Sequence, residues 1–484
     1  MKKKIYSRTI IALMAVMIFT SCNDLFNVPD IQKNPNAPAD APIDVLMSGA
    51  MVGLSAVHED TDARLSMMWG GQLAGLSRQH AGFQEYIVAA STFDNSWSIL
   101  YSAAANARII QGKAAPLNNK VALGIAQVME ALLMAKVTSL YGDVPYSQAF
   151  NAEQYPTPVF DKQLDVYAAL ITLLNSAYAN LSAPTGAVTL DFIYKGSASK
   201  WAAAAKTLQA RLYLHLKDYP NAIAAASQGI SSPANDALVP HGSSQQIDLN
   251  LNFDFFDISR PGDTGFDPPA YLPGFMKANG YSRNSKTVDR ALYDHFFQVG
   301  VYTPGALDPN TQDGMFTGDS PHPLLTFYET QLIIAEANAR LAAPNINQAV
   351  KALNNVRAEL VNGTINGKTI DASYITSTSI QYDPYVKGDF DIGGLADKSQ
   401  GTQQKNLIYE IISQRFIVLL AQYEIFNDLR RLQVATPVVK LPIPISGTKG
   451  IYPGRFVYPQ NEVNTNKNTP TPAPDQYAKV PIFQ

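Results

Sequence analysis

Cys22 is the only cysteine in the chain, and its setting gives its thiol a chemical task. Lys2, Lys3, Lys4 and Arg8 precede an apolar run from Ile10 to Phe19, and Thr20-Ser21-Cys22 follows. A run that short cannot span a ~30 Å hydrocarbon core, which takes about 20 residues, so it reads as the apolar part of a secretion signal. With Phe19 and Ser21 ahead of it, Cys22 suits lipoprotein processing, in which the thiol takes a diacylglyceryl group and cleavage falls just before it. Each buried CH₂ of an acyl chain contributes ~0.8 kcal/mol, so two or three chains hold a protein at a membrane. No thiol then remains for disulfides, and packing must supply the stability.

A second set of residues suits recognition. The stretch between Trp69 and Trp97, read as non-helical, carries Trp69, Arg78, Gln79, His80, Phe83, Gln84, Tyr86 and Trp97. Sugars need an aromatic face for the C–H side of a pyranose and planar donors and acceptors for its hydroxyls, and this set offers both. For Trp97 the favoured reading is that it begins the next helix and packs with Tyr101. Phe266, Tyr271 and Tyr281 form a further aromatic group.

Asp308-Pro309-Asn310-Thr311-Gln312-Asp313-Gly314 with Asp319 places oxygen ligands at alternate positions and an acid at the twelfth, in the manner of a calcium loop. Glycine is missing at the sixth position, where such a loop bends, which favours an ordinary Pro/Asn/Gly turn. His58-Glu59-Asp60 with Asp62 lacks zinc spacing and reads as a solvated helix end. No nucleophile elbow, phosphate loop or cysteine nucleophile stands in the mature chain, and no cofactor motif is present. A carboxylate pair for glycoside hydrolysis is recognised only by geometry.

The elements that must position these residues are mainly helical. Apolar residues recur with helical period over 43–57, 98–113, 121–140, 160–181, 199–216, 221–230, 324–341, 346–362 and 406–432. In the fifth of these, Trp201, Ala204, Ala205, Leu208, Leu212 and Leu216 share one stripe behind serine caps at Ser197 or Ser199. Ala210 and Ala222, then Ala337 and Ala349, stand twelve apart across short turns, the spacing that lets two helices of a tetratricopeptide-type hairpin cross closely. Other antiparallel hairpins with alanine contacts would show it too. Gly142 can end the fourth-listed helix's predecessor in a left-handed conformation, with Asp143-Val144-Pro145 blocking continuation. Arg415, on the stripe with Ile408, Ile411, Leu419 and Phe426, needs a carboxylate if buried, and Glu424 and Asp428 are near enough, with Arg430 a second claimant.

Two long segments, about 231–323 and 364–404, lack helical period but carry Phe253, Phe255, Phe256, Phe266, Tyr271, Phe275 and Tyr281, enough aromatic area to pack as a cap. The organisation expected is a signal over residues 1–21, a Pro/Asn-rich extended lead over 22–42, and one domain over 43–484 of helical-repeat scaffold with a loop-rich cap. No run after the signal approaches membrane-spanning length. A net charge of -3 with no basic run excludes the footprint of a nucleic-acid binder.

An ordered series of segments resembles the SusD/RagB family, and within it the SusD-like branch. It comprises Cys22 with Asn34-Pro35-Asn36, then Leu140-Tyr141-Gly142-Asp143-Val144-Pro145-Tyr146-Ser147-Gln148-Ala149, and Ala335-Glu336-Ala337 within 332–340. Asn354-Asn355-Val356-Arg357, Gln414-Arg415-Phe416, Glu424-Ile425-Phe426-Asn427-Asp428-Leu429-Arg430-Arg431 and Tyr458-Pro459-Gln460-Asn461-Glu462 with Asn464 complete it. The resemblance implies a tetratricopeptide-like scaffold with an irregular cap, anchored by lipid in the outer membrane and facing the cell surface. It implies binding of oligosaccharide, or of peptide, without chemistry, and delivery to a SusC-like TonB-dependent barrel on which the protein sits as a lid. Only Asp24 is acidic before Asp30, so the acid-rich stretch associated with surface export is weak here. A helical-repeat envelope scaffold without a small ligand, and a surface glycoside hydrolase, are the competing readings.

Overall fold

The computed structural model describes residues 41–484 apart from positions 246 and 303. Cys22, the signal over 1–21 and all but the end of the 22–42 lead lie outside the described residues.

The helices are α1 (Ile43–His58), α2 (Thr61–Trp69), α3 (Arg78–Gln84), α4 (Asp94–Ala114), α5 (Lys120–Tyr141), α6 (Gln163–Ser182), α7 (Ala198–His215) and α8 (Tyr219–Ala226). They continue with α9 (Leu272–Tyr281), α10 (Arg290–Phe296), α11 (Phe327–Arg340), α12 (Ile346–Val361), α13 (Gln403–Val418), α14 (Glu424–Arg431) and α15 (Gln460–Thr465). Local chemistry sets several starts. Asn119 Oδ1 accepts from Ala122 N at 3.0 Å to open α5, and Thr326 Oγ1 accepts from Glu329 N at 3.1 Å to open α11. Ser197 stands at the head of α7, yet its hydroxyl makes no capping bond. The helix expected from residue 160 begins later, because Phe160–Asp161 pairs with Val144–Pro145 and Asp143 Oδ1 accepts from Gln163 N at 2.9 Å. Gly142, at φ 87°, ends α5 as its type allows.

Each scaffold helix packs on the next in sequence: α1 on α4, then α5, α6, α7 and α8, with α8 against α11, and α11 against both α12 and α13. This succession of hairpins is the helical-repeat scaffold. Trp201, Ala204, Ala205, Leu208 and Leu212 are fully buried, as their stripe requires. Ala210, Ala222 and Ala337 meet in one apolar cluster with Leu214, Ala225, Ala226 and Ile333, so the two alanine-spaced hairpins pack against each other. A methyl group on Gly124 would meet Leu181 Cγ at 2.5 Å, which shows how closely α5 and α6 cross.

Under this apolar packing runs a layer of buried charge. Arg415 finds Asp428, at 2.9 and 3.2 Å, and Arg431 joins Asp428 at 2.6 Å to Glu336 at 2.7 and 2.8 Å. Glu336 also takes Arg340 at 2.7 Å, and the two guanidiniums hold its carboxyl far below the usual carboxylate range despite burial. Arg211 and Glu329 pair at 2.6 Å, and His215 lies 2.5 Å from Glu424. Such pairs fix the register of packed helices more surely than they add stability.

Three further expectations change. The segment 406–432 is two helices, broken where Ala421 takes φ 72°. No glycine or proline announces the break; distant side chains stabilise it by capping freed carbonyls, Gln72 Nε2 donating to Phe416 O at 2.7 Å and Asn366 Nδ2 to Val418 O at 3.2 Å. The His58–Asp62 group is buried rather than solvated: Lys136 Nζ lies 3.4 Å from Asp60 and 3.7 Å from Asp62, and His241 lies 3.0 Å from Glu59. Helix α5 is long and apolar enough to cross a membrane, contrary to the reading that no later run is; it is the buried central helix of the scaffold.

The two loop-rich insertions join into one cap. Ser282–Asn284 pairs with Thr287–Val288 from the first, and Gln381–Tyr382 from the second adds to the same small sheet. The 70–93 segment ties in through Ala74–Gly75 against Thr264–Gly265.

Candidate functional site

The aromatic set expected between Trp69 and Trp97 assembles in space, but inside the core. Trp69 is 1% exposed, its Nε1 donates to Phe83 O at 2.9 Å, and Tyr86, Phe426 and Phe456 stand edge-on to it at 5.9, 5.3 and 5.1 Å. The segment is also partly helical, in α3 and in a short turn at Ala90–Phe93. His80 and Phe83 are buried against each other at 5.4 Å, and burial lowers the pKa of the imidazole although Asp263 lies 3.2 Å away. Tyr86 is buried with its hydroxyl accepting from Ser446 N at 3.1 Å. Trp97 packs on Tyr101 and Tyr141 at 4.8 and 5.2 Å. Their faces are taken by protein, Phe426 and Phe456 covering Trp69, Phe255 covering His80, and Tyr141 and Tyr458 covering Trp97, so Trp69, His80, Phe83, Tyr86 and Trp97 offer no platform to a sugar. Arg78 and Gln79 of this group are exposed, with Arg78 Nε donating to Asp263.

Tyr271 is half-buried beside Phe275 and Phe416 at 5.8 and 5.9 Å, and Phe266 is buried. The calcium-like loop spends its oxygens internally. Asp308 Oδ2 accepts from Tyr302 N at 2.9 Å, Asn310 Oδ1 accepts from Gln312 N and Asp313 N at 3.2 and 3.3 Å, and Asp319 pairs with Lys368 at 2.8 Å. Among the described residues no group of three His, Cys, Asp or Glu side chains is placed to hold a metal ion.

Tyr281 lies elsewhere, in an open cleft of about 620 Å³ formed where the two insertions meet. Asn279, Gly280 and Tyr281 take φ values of 53°, 68° and 68°, and the last is a strained conformation for an aromatic residue. Asp289 N donates to Tyr281 O at 2.9 Å and holds the turn closed. Arg290, Tyr293 and Asp294 occupy one face of α10 at i, i+3 and i+4. The Arg290 guanidinium sits 4.6 Å over the Tyr281 ring while its Nε reaches Asp294 Oδ2 at 2.5 Å, and Tyr293 stands edge-on to Tyr281 at 5.1 Å. Burial, reinforced by Tyr281 and Asp294, pushes the Tyr293 hydroxyl up to about 12.

The second insertion supplies the opposite wall with Ser373, Tyr374, Thr376, Thr378 and Ser379. Tyr374 donates to Asp313 Oδ1 at 2.6 Å, and burial and that bond raise it to about 12. Ala291 N donates to Ser379 O at 2.8 Å and fastens this wall to α10.

The Tyr281 turn beside the cleft is tied to the scaffold through a buried guanidinium. Arg283 donates to Asp289 at 2.8 Å, to Glu410 of α13 at 2.7 Å and to Gln414 at 3.0 Å, while Tyr382 donates to Asp289 at 2.7 Å. The flanking carboxylates hold Arg283 well above the ordinary arginine range against the opposing effect of burial. One carboxylate, Asp294, lines the cleft among two tyrosines of α9 and α10, a guanidinium, a primary amine on Lys277 and several hydroxyls. That mixture sets aromatic rings among donors and acceptors, which suits a polyhydroxylated ring. Sequence reading reached Tyr281 by its aromatic company alone; the i, i+3, i+4 spacing of Arg290, Tyr293 and Asp294 was the signal for the rest.

Comparison with known proteins agrees with this architecture. Residues 35–244 match the family SusD-like_2, described as starch-binding associating with outer membrane. Among solved structures, a SusD/RagB family protein from Bacteroides thetaiotaomicron superposes with TM-score 0.66 at 22% identity, over 88% of this chain and 95% of that one. A chitin-binding protein superposes with TM-score 0.67 at 21% identity, over 91% and 100%. A SusD homolog from Bacteroides uniformis does so with TM-score 0.64 at 18% identity, over 91% and 100%. A search of curated proteins found no match. Residues 35–244 thus match the SusD-like_2 family model, and the described body shares the fold of the solved SusD/RagB proteins.

Proposed function

We propose that this protein is a lipid-anchored binding protein of the outer membrane that captures an oligosaccharide in the cap cleft and passes it to a SusC-like TonB-dependent barrel. The observation that carries the reading is Tyr281, held at positive φ beneath the Arg290 guanidinium and beside Tyr293 and Asp294 in an open cleft walled by hydroxyl-bearing side chains. Strain of this kind persists where the surrounding structure over-determines it, and such places are typically ligand sites. The family description, and the binding named for the chitin-binding relative, support a glycan as ligand and binding as the role. Hydrolysis of a glycosidic bond takes two carboxyl groups about 5–10 Å apart, and Asp294 stands as the one carboxylate lining the cleft. The signal and Cys22 support the anchor, with the Pro/Asn-rich lead as slack.

A glycan and peptide array probed with the full chain, repeated with Tyr281→Ala, tests the reading. Binding of an oligosaccharide that Tyr281→Ala weakens at least tenfold supports it. Peptide binding alone, or glycan binding indifferent to Tyr281, would overturn it. Co-purification of the native protein tests the barrel, and a Cys22→Ala chain that stays at the membrane would remove the anchor.

A further inference from the structure

A second cavity, of about 370 Å³, lies on the far side of α14, between that helix and the chain over 440–454 and 477–483. Leu429, Ile445, Ile451, Tyr452, Pro453 and Phe483 give it a mostly apolar wall. Its charged groups are all cationic: Arg430, Lys440 and Lys479. Arg430 is 5% exposed, and its hydrogens go to neutral oxygens: Nε to Phe426 O at 3.1 Å, Nη1 to Gly454 O at 3.0 Å, and Nη2 to Ser139 O at 2.9 Å and to Asn427 Oδ1. Phe426 and Phe483 lie against the guanidinium at 4.1 and 5.0 Å.

The layer of paired charge in the scaffold makes this guanidinium unusual. Glu424, the nearest acid, reaches Arg430 only through Asn427, and is itself taken by His215 at 2.5 Å. Burial, with the like charge of Arg455 nearby, lowers Arg430 to about 9. A second buried guanidinium, Arg455, leaves Nη2 without a hydrogen-bond partner. At the mouth, Lys440 donates to Gln433 Oε1 at 2.7 Å and Lys479 is exposed; among the described residues neither meets a carboxylate within 4 Å, whereas Lys449 just beyond has Asp475 at 3.9 Å. A buried cation without an anion is costly, and an apolar cavity beside it sets the body that the missing anion would carry.

We propose that this cavity is a binding site for an amphipathic anion, a carboxylate on an acyl or aromatic body, whose head is drawn by Arg430, Lys440 and Lys479 and whose body lies against Ile445, Ile451, Tyr452 and Phe483. The site is separate from the cap cleft, and its occupancy does not depend on what the cleft binds.

The test is calorimetric titration of the full chain with octanoate and octanol, and with N-acetylphenylalanine and its amide. Binding of at least one acid about tenfold or more tighter than its neutral counterpart is expected, and the tighter acid names the source as acyl chain or peptide-like aromatic. Lys440→Gln with Lys479→Gln, both exposed and harmless to folding, should lower the acid's affinity several-fold and leave the neutral ligand unchanged. Ile451→Asp, at an exposed position on the rim, should abolish acid binding. Acids that bind no tighter than their neutral counterparts, or an acid whose affinity ignores all three substitutions, would overturn the proposal.

Discussion

Replacing Tyr281 by glycine and by alanine should separate what its ring does from what its backbone costs. An L-residue in the left-handed region costs roughly 1–2 kcal/mol, and Tyr281 sits there at φ 68°. Its ring gains about 0.5–1.5 kcal/mol from the edge contact with Tyr293 and about 0.5–1 kcal/mol from the half-exposed Arg290 above it. Alanine removes the ring and keeps the strain, so Tyr281→Ala should destabilise by about 1–2.5 kcal/mol. Glycine removes both, at a cost of about 0.5–1 kcal/mol in unfolded-chain freedom. Tyr281→Gly should therefore be more stable than Tyr281→Ala by about 1 kcal/mol, roughly fivefold in the folding constant. Urea denaturation followed by the fluorescence of the buried Trp69, Trp97 and Trp201 measures the difference. Affinity for the oligosaccharide should fall by a similar factor, tenfold or more, in both. Equal stability of the two variants would refute the strain argument, and unchanged affinity in either would refute the role of the ring.

Arg283→Met, which leaves Asp289 and Glu410 without their shared cation, should cost about 3–5 kcal/mol and, at temperatures where the variant stays folded, weaken binding in the cleft; a folded variant with unaltered affinity would show that the Tyr281 turn needs no such tie. Glu336→Gln should cost a similar ~3–5 kcal/mol in denaturant titration because Arg340 and Arg431 lose a common carboxylate, and a loss under ~1 kcal/mol would show that Asp428 suffices. His295 and His322 are held near pKa 4 by burial, below the ordinary 6.5. Because the folded pKa is depressed, the unfolded chain takes up protons first as pH falls, so their contribution is full above pH 6.5 and is lost between about 6.5 and 4, at up to ~1.4 kcal/mol per pH unit for each histidine. His322→Gln should flatten that slope, and a slope identical to that of the unmodified chain would exclude His322 as its source.

The scaffold was legible because its signals are local. The stripe through Trp201 and Leu212, and the alanine pairs at 210, 222 and 337, follow from the 3.6-residue period and from the small residues that close crossings require. What escaped depends on partners distant in sequence. The break at Ala421 rests on Gln72 and Asn366, and the late start of α6 on Asp143, none of which periodicity registers. The candidate site misled for the same reason: Trp69, His80 and Tyr86 carry the right groups for a sugar, but Phe426 and Phe456, more than 300 residues on, cover Trp69.

Aromatic residues in this chain thus do two jobs that composition cannot separate. Where the neighbouring backbone is regular and the scaffold supplies a second surface, as at Trp69 and Trp97, burial of both ring faces is the favourable outcome and the ring joins the core. Tyr281 is only half-buried: it ends the left-handed run at 279–281 beside the cleft, and the Arg290 guanidinium lies over its ring. The cap can hold such a costly turn because Asp289 and Arg283 tie it to α13. A loop-borne site of this kind can be precise only when a buried tie of that strength reaches it from the scaffold. The charge layer and the cleft proposed for the ligand share one support, α13, which carries Arg415 in the layer and Glu410 and Gln414 on Arg283.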